Sequence, residues 1–248
     1  VQIVLVRHGQ STNNARHAEA AAAGLAASGG EGQIAAEVRH YPGRVPDPPL
    51  SARGRRQAEA LGKALFDGRT PFAPTHLYAS PTTRAVQTAR PLAEATDLPV
   101  VLHPDAYEVG GIHLFDPRTC TRQARPGATL QQLREHCRTI EAPPGVFDAP
   151  DQPWSGGLET ADEQALPRAE RLLASLRGVH GPDDVVVVVS HQHFSQFVLA
   201  AAFGWGGPPW RRFRVDNTGH LSLRLDDGRA GVDWVNRVDH LDPTDVTN

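Results

Sequence analysis

Three short stretches of this chain hold side chains suited to binding and transferring an anionic group. Arg7-His8-Gly9 closes an apolar run, Ser80-Pro81 leads to Arg84, and Ser190-His191 closes the run VVVVV. Arginine carries a permanent charge and forks onto two oxygens of a phosphate at once. Neutral imidazole is a nucleophile at pH 7. Glycine lets the backbone approach a ligand closely, and helices starting after Gly9 and Pro81 would turn unpaired N–H groups toward an anion. Phosphoryl transfer asks mostly for this: positioning, and positive charge around the equatorial oxygens.

Such residues act together only if the fold gathers them. Residues 2–6 (QIVLV) and 185–189 (VVVVV) are apolar without alternation, as expected of strands buried on both faces. Short strands are predicted at 75–79 and 99–102, and helices at 15–27, from Ser51 as N-cap to Phe66, and at 82–95, 162–177 and 194–203. In the second helix Ala58, Leu61, Ala64 and Leu65 share a face. Residues 28–32 (SGGEG) break the first helix, and 41–49 form a Pro-rich loop. Residues 213–238 alternate around turns at Asn217-Thr218-Gly219 and Asp226-Asp227-Gly228 and are expected to form edge strands. Strands alternating with helices imply an α/β fold, a three-layer α/β/α sandwich with a mostly parallel central sheet. In such sheets ligands bind at the carboxyl ends of the strands. Central, neighbouring strands would therefore bring Arg7, His8, Arg84 and His191 to one edge. Residues 104–160 read as an irregular lid inserted over a single domain spanning 1–248, and 15–46 as an extra cover.

Composition narrows the field. The 248 residues suffice for a sizeable core, and 21% are charged, with 25 Lys+Arg against 28 Asp+Glu. At a net charge of −3, no bulk attraction to nucleic acid or to an anionic membrane is expected, so any anion site must be local. Cys120 and Cys137 form no metal-ligand spacing and suggest reduced, inert thiols in a cytoplasmic protein. No secretory signal or membrane span is expected. Oligomeric state is open, with a homodimer one outcome.

In this context the sequence resembles the histidine phosphatase superfamily, also called phosphoglycerate-mutase-like. Arg7 to Asn14 (RHGQSTNN) matches RHGxSxxN, Asp47 to Gly62 reads DPPLSARGRRQAEALG, and Ser80 to Ala89 (SPTTRAVQTA) matches SxxxRAxQTA. A hydrophobic strand ends in Ser190-His191. The resemblance runs in order along nearly the whole chain. It implies a phosphomonoesterase acting on a phosphorylated small molecule, with His8 phosphorylated and neither metal nor cofactor required. Arg7 and Arg84 would clamp the phosphoryl oxygens and His191 would complete the pocket. Asn14 would contact the phosphate, Ser11 would sit beside it, and the backbone N–H of Gln192 would serve as a donor. The family's acid maps to Glu108, 24 residues after Arg84.

The chain departs from the family in places. Gln192-His193 stands where small residues usually follow the last histidine, and YEVGGIHLF replaces the segment around the acid of the mutase branch, which favours hydrolysis. A phosphoglycerate-type mutase is the alternative enzyme, and a catalytically silent phosphate-binding module the alternative outside enzymes. Glu159 is the rival acid. His191-Gln192-His193 reads as a metal-binding HxH only if carboxylates join it, and His193 is otherwise a candidate substrate contact. Trp154 either lines the substrate cavity or packs under a loop. His17, His40, His103, His113 and Arg118 read as surface or loop residues, with His113 and Arg118 also candidates for a second anionic group of the substrate.

Overall fold

The computed structural model describes residues 1–22, 43–116, 118–205, 213–226 and 229–248. Nine strands and six α-helices are found among them. The strands are β1 (Gln2–Arg7), β2 (His76–Ala79), β3 (Val100–Leu102), β4 (His113–Asp116), β5 (Thr121–Ala124), β6 (Ile140–Glu141), β7 (Val185–Ser190), β8 (His220–Asp226) and β9 (Arg229–Arg237). The helices are α1 (Thr12–Ala22), α2 (Ala52–Phe66), α3 (Thr83–Thr96), α4 (Leu130–His136), α5 (Ala165–Val179) and α6 (Gln192–Phe203). No helix among the described residues is long and apolar enough to cross a membrane.

Seven strands form one sheet in the order β6-β3-β2-β7-β1-β8-β9, and β4 and β5 form a separate hairpin. The five strands from β6 to β1 are parallel, and β8 and β9 join antiparallel. The apolar runs behave as their composition dictates. In β1, Val4 and Val6 face a core shared with α2, α3 and α4, while Ile3 and Leu5 face a second core under α5 and α6. In β7, Val187 and Val189 join the first core and Val186 and Val188 the second. Burial on both faces is why neither run alternates.

The expected N-cap of α2 is present: Ser51 Oγ accepts the N–H of Gly54 at 3.0 Å. Farther along α2, a β-carbon on Gly62 would lie 2.7 Å from Pro91, so glycine there allows the close approach of α2 to α3.

Three expectations need correction. The stretch 104–160 is not only an irregular lid: β6 pairs in register with β3, and Leu133, Ile140 and Trp154 belong to the first core. Its apolar residues are spaced too widely to signal that role in sequence. β8 is not an edge strand, because it lies between β1 and β9; its buried positions fill the second core beside Ile3 and Leu5. The first helix begins at Thr12 rather than at 15, because Ser11 caps it. Residues 23–27 of that predicted helix, the break at 28–32, His40 and most of the predicted cover lie outside the described residues, as do Asp227 and Gly228.

Candidate active site

β1 and β7 pair with Arg7 opposite Ser190, so their carboxyl ends lie side by side, with β2 on the far flank of β7. This is the point where the chain order along the sheet breaks, since β7 separates β1 from β2. The turn after β1 is fixed from three sides. The Gly9 N–H donates to Thr88 Oγ1 at 3.0 Å, and Asn217 Nδ2 donates to the His8 carbonyl at 3.0 Å. A β-carbon on Gly9 would stand 2.5 Å from the Gly54 carbonyl oxygen, so this turn has room only for glycine. The Arg7 amide and carbonyl pair with Gly219 and Thr218. The turn at 217–219, read in sequence as a hairpin connection, thus braces the end of β1.

His8 is buried, and its Nδ1 lies 2.7 Å from the Gly9 carbonyl oxygen. A carbonyl only accepts, so Nδ1 carries the proton and Nε2 keeps its lone pair. Burial, followed by the charges of Arg84 and Arg7, holds the imidazole pKa well below its ordinary value, and the ring is neutral at pH 7. Arg7 Nη1 donates to the Val215 carbonyl and to Asn248 Oδ1, both at 2.7 Å. Burial lowers the Arg7 pKa to about 10, against the opposing pull of Glu108 and Asp216, so it remains a cation.

Arg84 lies in the first turn of α3. Asp47 acts as that helix's cap from a distant loop, accepting the Thr83 N–H at 3.2 Å and its hydroxyl at 2.7 Å. The same carboxylate stands 3.6 Å from Arg84. Arg84 Nη2 lies 3.1 Å from His191 Nδ1, and His191 Nε2 lies 2.9 Å from Ser80 Oγ. A guanidinium only donates, so Nδ1 of His191 is the acceptor and Nε2–H donates to the serine. The rings of His8 and His191 are 5.2 Å apart at 63°. His191 is fully buried behind Arg84, beside His8. It accepts from Arg84 through Nδ1.

The two carboxylates have different surroundings. Glu108 Oε1 accepts the N–H groups of Val109 and Phe194, each at 2.9 Å, while Oε2 has a single 3.4 Å contact with the His193 N–H. It thus caps α6 from outside that helix, facing the cleft beside Arg7 and Arg84. Glu159 is buried in a two-point ion pair with Arg168, at 2.8 and 3.0 Å, and accepts the Gly110 N–H at 2.8 Å. Arg168 is clasped between the rings of Tyr107 and Phe194, 3.6 and 4.0 Å from its guanidinium carbon. Glu159 is absent from the cleft lining.

A cleft of about 370 Å³ opens over these groups, floored by Arg7, His8, Arg84 and Glu108. Ser11, Asn14, Gln192 and His193 also line it. Ser11 and Asn14 cap α1 reciprocally: Asn14 Oδ1 accepts from the Ser11 N–H, and Ser11 Oγ from the Asn14 N–H. His17 and His113, expected at surface or loop positions, line the cleft as well, because α1 and the β4–β5 hairpin form its walls. His113 is held neutral, its pKa lowered by burial to about 4. His103 is buried, 3.2 Å from Ser175 Oγ, and Arg118 is exposed as expected. Arg44 and Arg122, which no motif singles out, also line the cleft, with Arg122 paired to Asp162. Trp154 packs on Tyr107 within the insertion, 5.3 Å between centroids, and not in this cleft. Cys120 is exposed and Cys137 buried, both as free thiols.

The profile of the histidine phosphatase superfamily (branch 1) matches residues 3–238. No curated protein matches the sequence significantly. Among solved structures, the chain is similar to a phosphoserine phosphatase from Entamoeba histolytica at 17% identity and a TM-score of 0.56, covering 97% of this chain and 98% of that one. A putative alpha-ribazole-5'-P phosphatase from Escherichia coli gives 21% and 0.58, covering 96% and 97%. A mycobacterial glucosyl-3-phosphoglycerate phosphatase gives 22% and 0.53, covering 95% and 98%. At these identities the likeness shows a common fold.

Proposed function

We propose, for a chain that belongs to the histidine phosphatase superfamily and is a phosphatase, that it hydrolyses phosphomonoesters of small molecules through a phosphohistidine on His8. The observation that carries this reading is the imidazole of His8, held neutral with Nδ1–H tied to Gly9, so that only Nε2 offers a lone pair in a cleft lined by Arg7 and Arg84. Arg7 and Arg84 hold the phosphoryl oxygens, and Asn14, Ser11 and the N-terminus of α6 at Gln192 border the same space. Nε2 attacks phosphorus in line with the ester oxygen. The N–P bond forms as the P–O bond breaks, and the leaving oxygen takes a proton from Glu108. Of its two oxygens Oε2 has the looser tie, and it is the one we assign to the proton. In the second half-reaction Glu108 removes a proton from water, which attacks phosphorus, breaks the N–P bond and releases phosphate. His191 acts at one remove, as the acceptor that aims Arg84.

The substrates named for the three similar structures differ beyond the phosphoryl group, which is the part that Arg7, His8 and Arg84 would hold. It is tested by acid-free quenching during turnover of a labelled phosphomonoester. Label should appear on the protein, bound to histidine, and should be absent from His8→Ala, whose turnover falls by ~10⁴-fold or more. Turnover should continue in excess chelator. Dependence on an added divalent ion, or label on a residue other than His8, would overturn the mechanism. Efficient interconversion of 2- and 3-phosphoglycerate after priming with 2,3-bisphosphoglycerate would assign the chain to mutase chemistry instead.

A further inference from the structure

The opposite end of the sheet carries a second histidine cluster, which the proposed reaction does not use. His76 opens β2, His180 caps the end of α5, and Asp184 immediately precedes β7. Parallel pairing of β2 with β7, His76 opposite Val186, brings these three positions together at the amino edge. His76 Nδ1 stands 3.6 Å from Asp184 Oδ1, and His180 Nδ1 stands 3.7 Å from Asp184 Oδ2. The two rings lie 4.2 Å apart at 56°. One ligand atom from each residue fits within 4.8 Å of the others, and among the described residues this is the one group of three such side chains.

These separations are too long for hydrogen bonds. They approach the roughly 3.3 Å between two donors bound at the tetrahedral angle to an ion about 2.0–2.1 Å away. A second observation points the same way. The His180 side chain is 3% exposed, and its Nδ1 is buried without a hydrogen-bond partner. Its Nε2 is occupied by Tyr78 Oη at 2.9 Å, so the unpartnered nitrogen is the one beside Asp184. A buried polar atom left unpaired is costly, and a ligand that accepts its lone pair removes that cost. Asp184 is itself positioned, Oδ2 accepting the Gly181 N–H at 2.8 Å; the Thr75 hydroxyl lies 3.1 Å from Asp184 Oδ1 and 2.9 Å from His76 Nδ1, so it is the group that an ion would displace from both ligand atoms. His76 and Asp184 reach solvent, with side chains 44% and 28% exposed, which leaves an approach for an ion and a place for water.

We propose that His76, His180 and Asp184 bind one divalent transition-metal ion of the zinc class at the amino edge of the sheet. Two imidazoles and one carboxylate suit Zn²⁺, Co²⁺ or Ni²⁺, whereas Mg²⁺ and Ca²⁺ prefer all-oxygen sites. The ion ties the start of β2 to the connection between α5 and β7. Its contribution is to stability, since it binds the folded state in preference to the unfolded one. The phosphate cleft, at the other end of the same strands, turns over without it.

The test is titration of chelator-treated protein with Co²⁺, followed by visible absorption, and with Zn²⁺, followed by calorimetry and thermal unfolding. One ion per chain is expected, with the absorption of a low-coordinate nitrogen and oxygen site and a raised Tm. His76→Ala and Asp184→Asn should each weaken Co²⁺ binding at least tenfold while keeping p-nitrophenyl phosphate turnover within about twofold, which shows that they fold. His8→Ala should bind Co²⁺ like the wild type, placing the ion away from the cleft. Failure of the wild type to bind either ion more tightly than ~100 µM, or equal binding by His76→Ala and the wild type, would overturn the proposal.

Discussion

The central sheet has a histidine pair near each edge, His8 and His191 after β1 and β7, His76 and His180 at the start of β2 and the end of α5, and the two pairs differ in their neighbours more than in their geometry. At the carboxyl edge the rings of His8 and His191 are 5.2 Å apart at 63°; at the amino edge those of His76 and His180 are 4.2 Å apart at 56°. The first pair sits among Arg7 and Arg84, the second beside Asp184. Burial lowers the pKa of both His8 and His180, so it does not distinguish them. The sign of the adjacent fixed charge does. Arginines call for an anion and leave imidazole as a base or nucleophile toward it; a carboxylate calls for a cation and makes imidazole its co-ligand. The same side chain is thereby assigned phosphoryl chemistry at one edge and metal binding at the other.

The largest effect expected in testing this contrast comes from the carboxylates near the cleft. Glu108→Gln should keep the cap on α6 through its remaining oxygen but lose proton transfer, slowing hydrolysis of an alkyl phosphate by ~10²–10⁴-fold. The loss should shrink with p-nitrophenyl phosphate, whose leaving group needs less help, if phosphohistidine formation limits the rate. Glu159→Gln strips Arg168 of its counter-charge in a buried ion pair, and so should cost roughly 3 kcal/mol of stability while kcat of the folded fraction stays near that of the wild type. Initial rates and urea denaturation of both variants separate the two outcomes. The reverse pattern would show that the cleft-facing carboxylate is not the proton donor.

A pH profile sharpens the electrostatic half of the comparison. Protonation of His8 removes the nucleophile, and its pKa is lowered by burial, Arg84 and Arg7, in that order. The acid limb of kcat/KM belonging to His8, followed with p-nitrophenyl phosphate so that proton donation by Glu108 contributes least, should therefore fall well below pH 6.5 after correction for the substrate's own ionisation. Stability moves with a definite sign. The unfolded chain takes up protons below about pH 6.5 that folded His8 and His191 refuse, so unfolding becomes easier as the pH drops through that value. An acid limb at or above 6.5 traceable to His8 would contradict the neutral imidazole drawn here.

The two edges were unequally legible in the sequence. The phosphate edge announces itself because its residues sit at strand ends beside punctuating glycine and proline: Arg7-His8-Gly9 after QIVLV, Ser80-Pro81 before Arg84, and His191 after VVVVV. The strands themselves are readable because burial on both faces imposes unbroken apolar runs. Three features were not readable. The turn at 217–219 braces the end of β1 through backbone bonds that leave no mark beyond Asn-Thr-Gly. Arg44 and Arg122 reach the cleft only through the paths of their loop and hairpin. At the amino edge, His76 is separated from His180 and Asp184 by about a hundred residues, and only the β2–β7 pairing makes them neighbours. Sheet topology assembles both sites; the phosphate edge is legible because each segment it gathers carries its own signal at a strand end, and the amino edge is silent because its residues arrive without one.

The smallest effect expected concerns the hydroxyl that orients one histidine at each edge, and both hydroxyls lie on or just after β2. Ser80 Oγ takes the Nε2–H of His191, which leaves Nδ1 as the acceptor for Arg84. Tyr78 Oη meets Nε2 of His180, which leaves Nδ1 facing Asp184. Removing the serine hydroxyl frees His191 to move its proton to Nδ1, where it would confront the guanidinium and turn Arg84 away from the substrate. The net worth of such a bond is about 1 kcal/mol. Ser80→Ala should then reduce kcat/KM for p-nitrophenyl phosphate roughly fivefold and leave Co²⁺ binding unchanged. Tyr78→Phe should do the opposite, weakening Co²⁺ binding about tenfold while kcat/KM stays within about twofold of the wild type, because partners of this kind orient metal-ligating histidines. A crossed result, with Tyr78→Phe slowing hydrolysis and Ser80→Ala weakening the metal, would mean that β2 transmits changes between its ends and that the two edges are not independent sites.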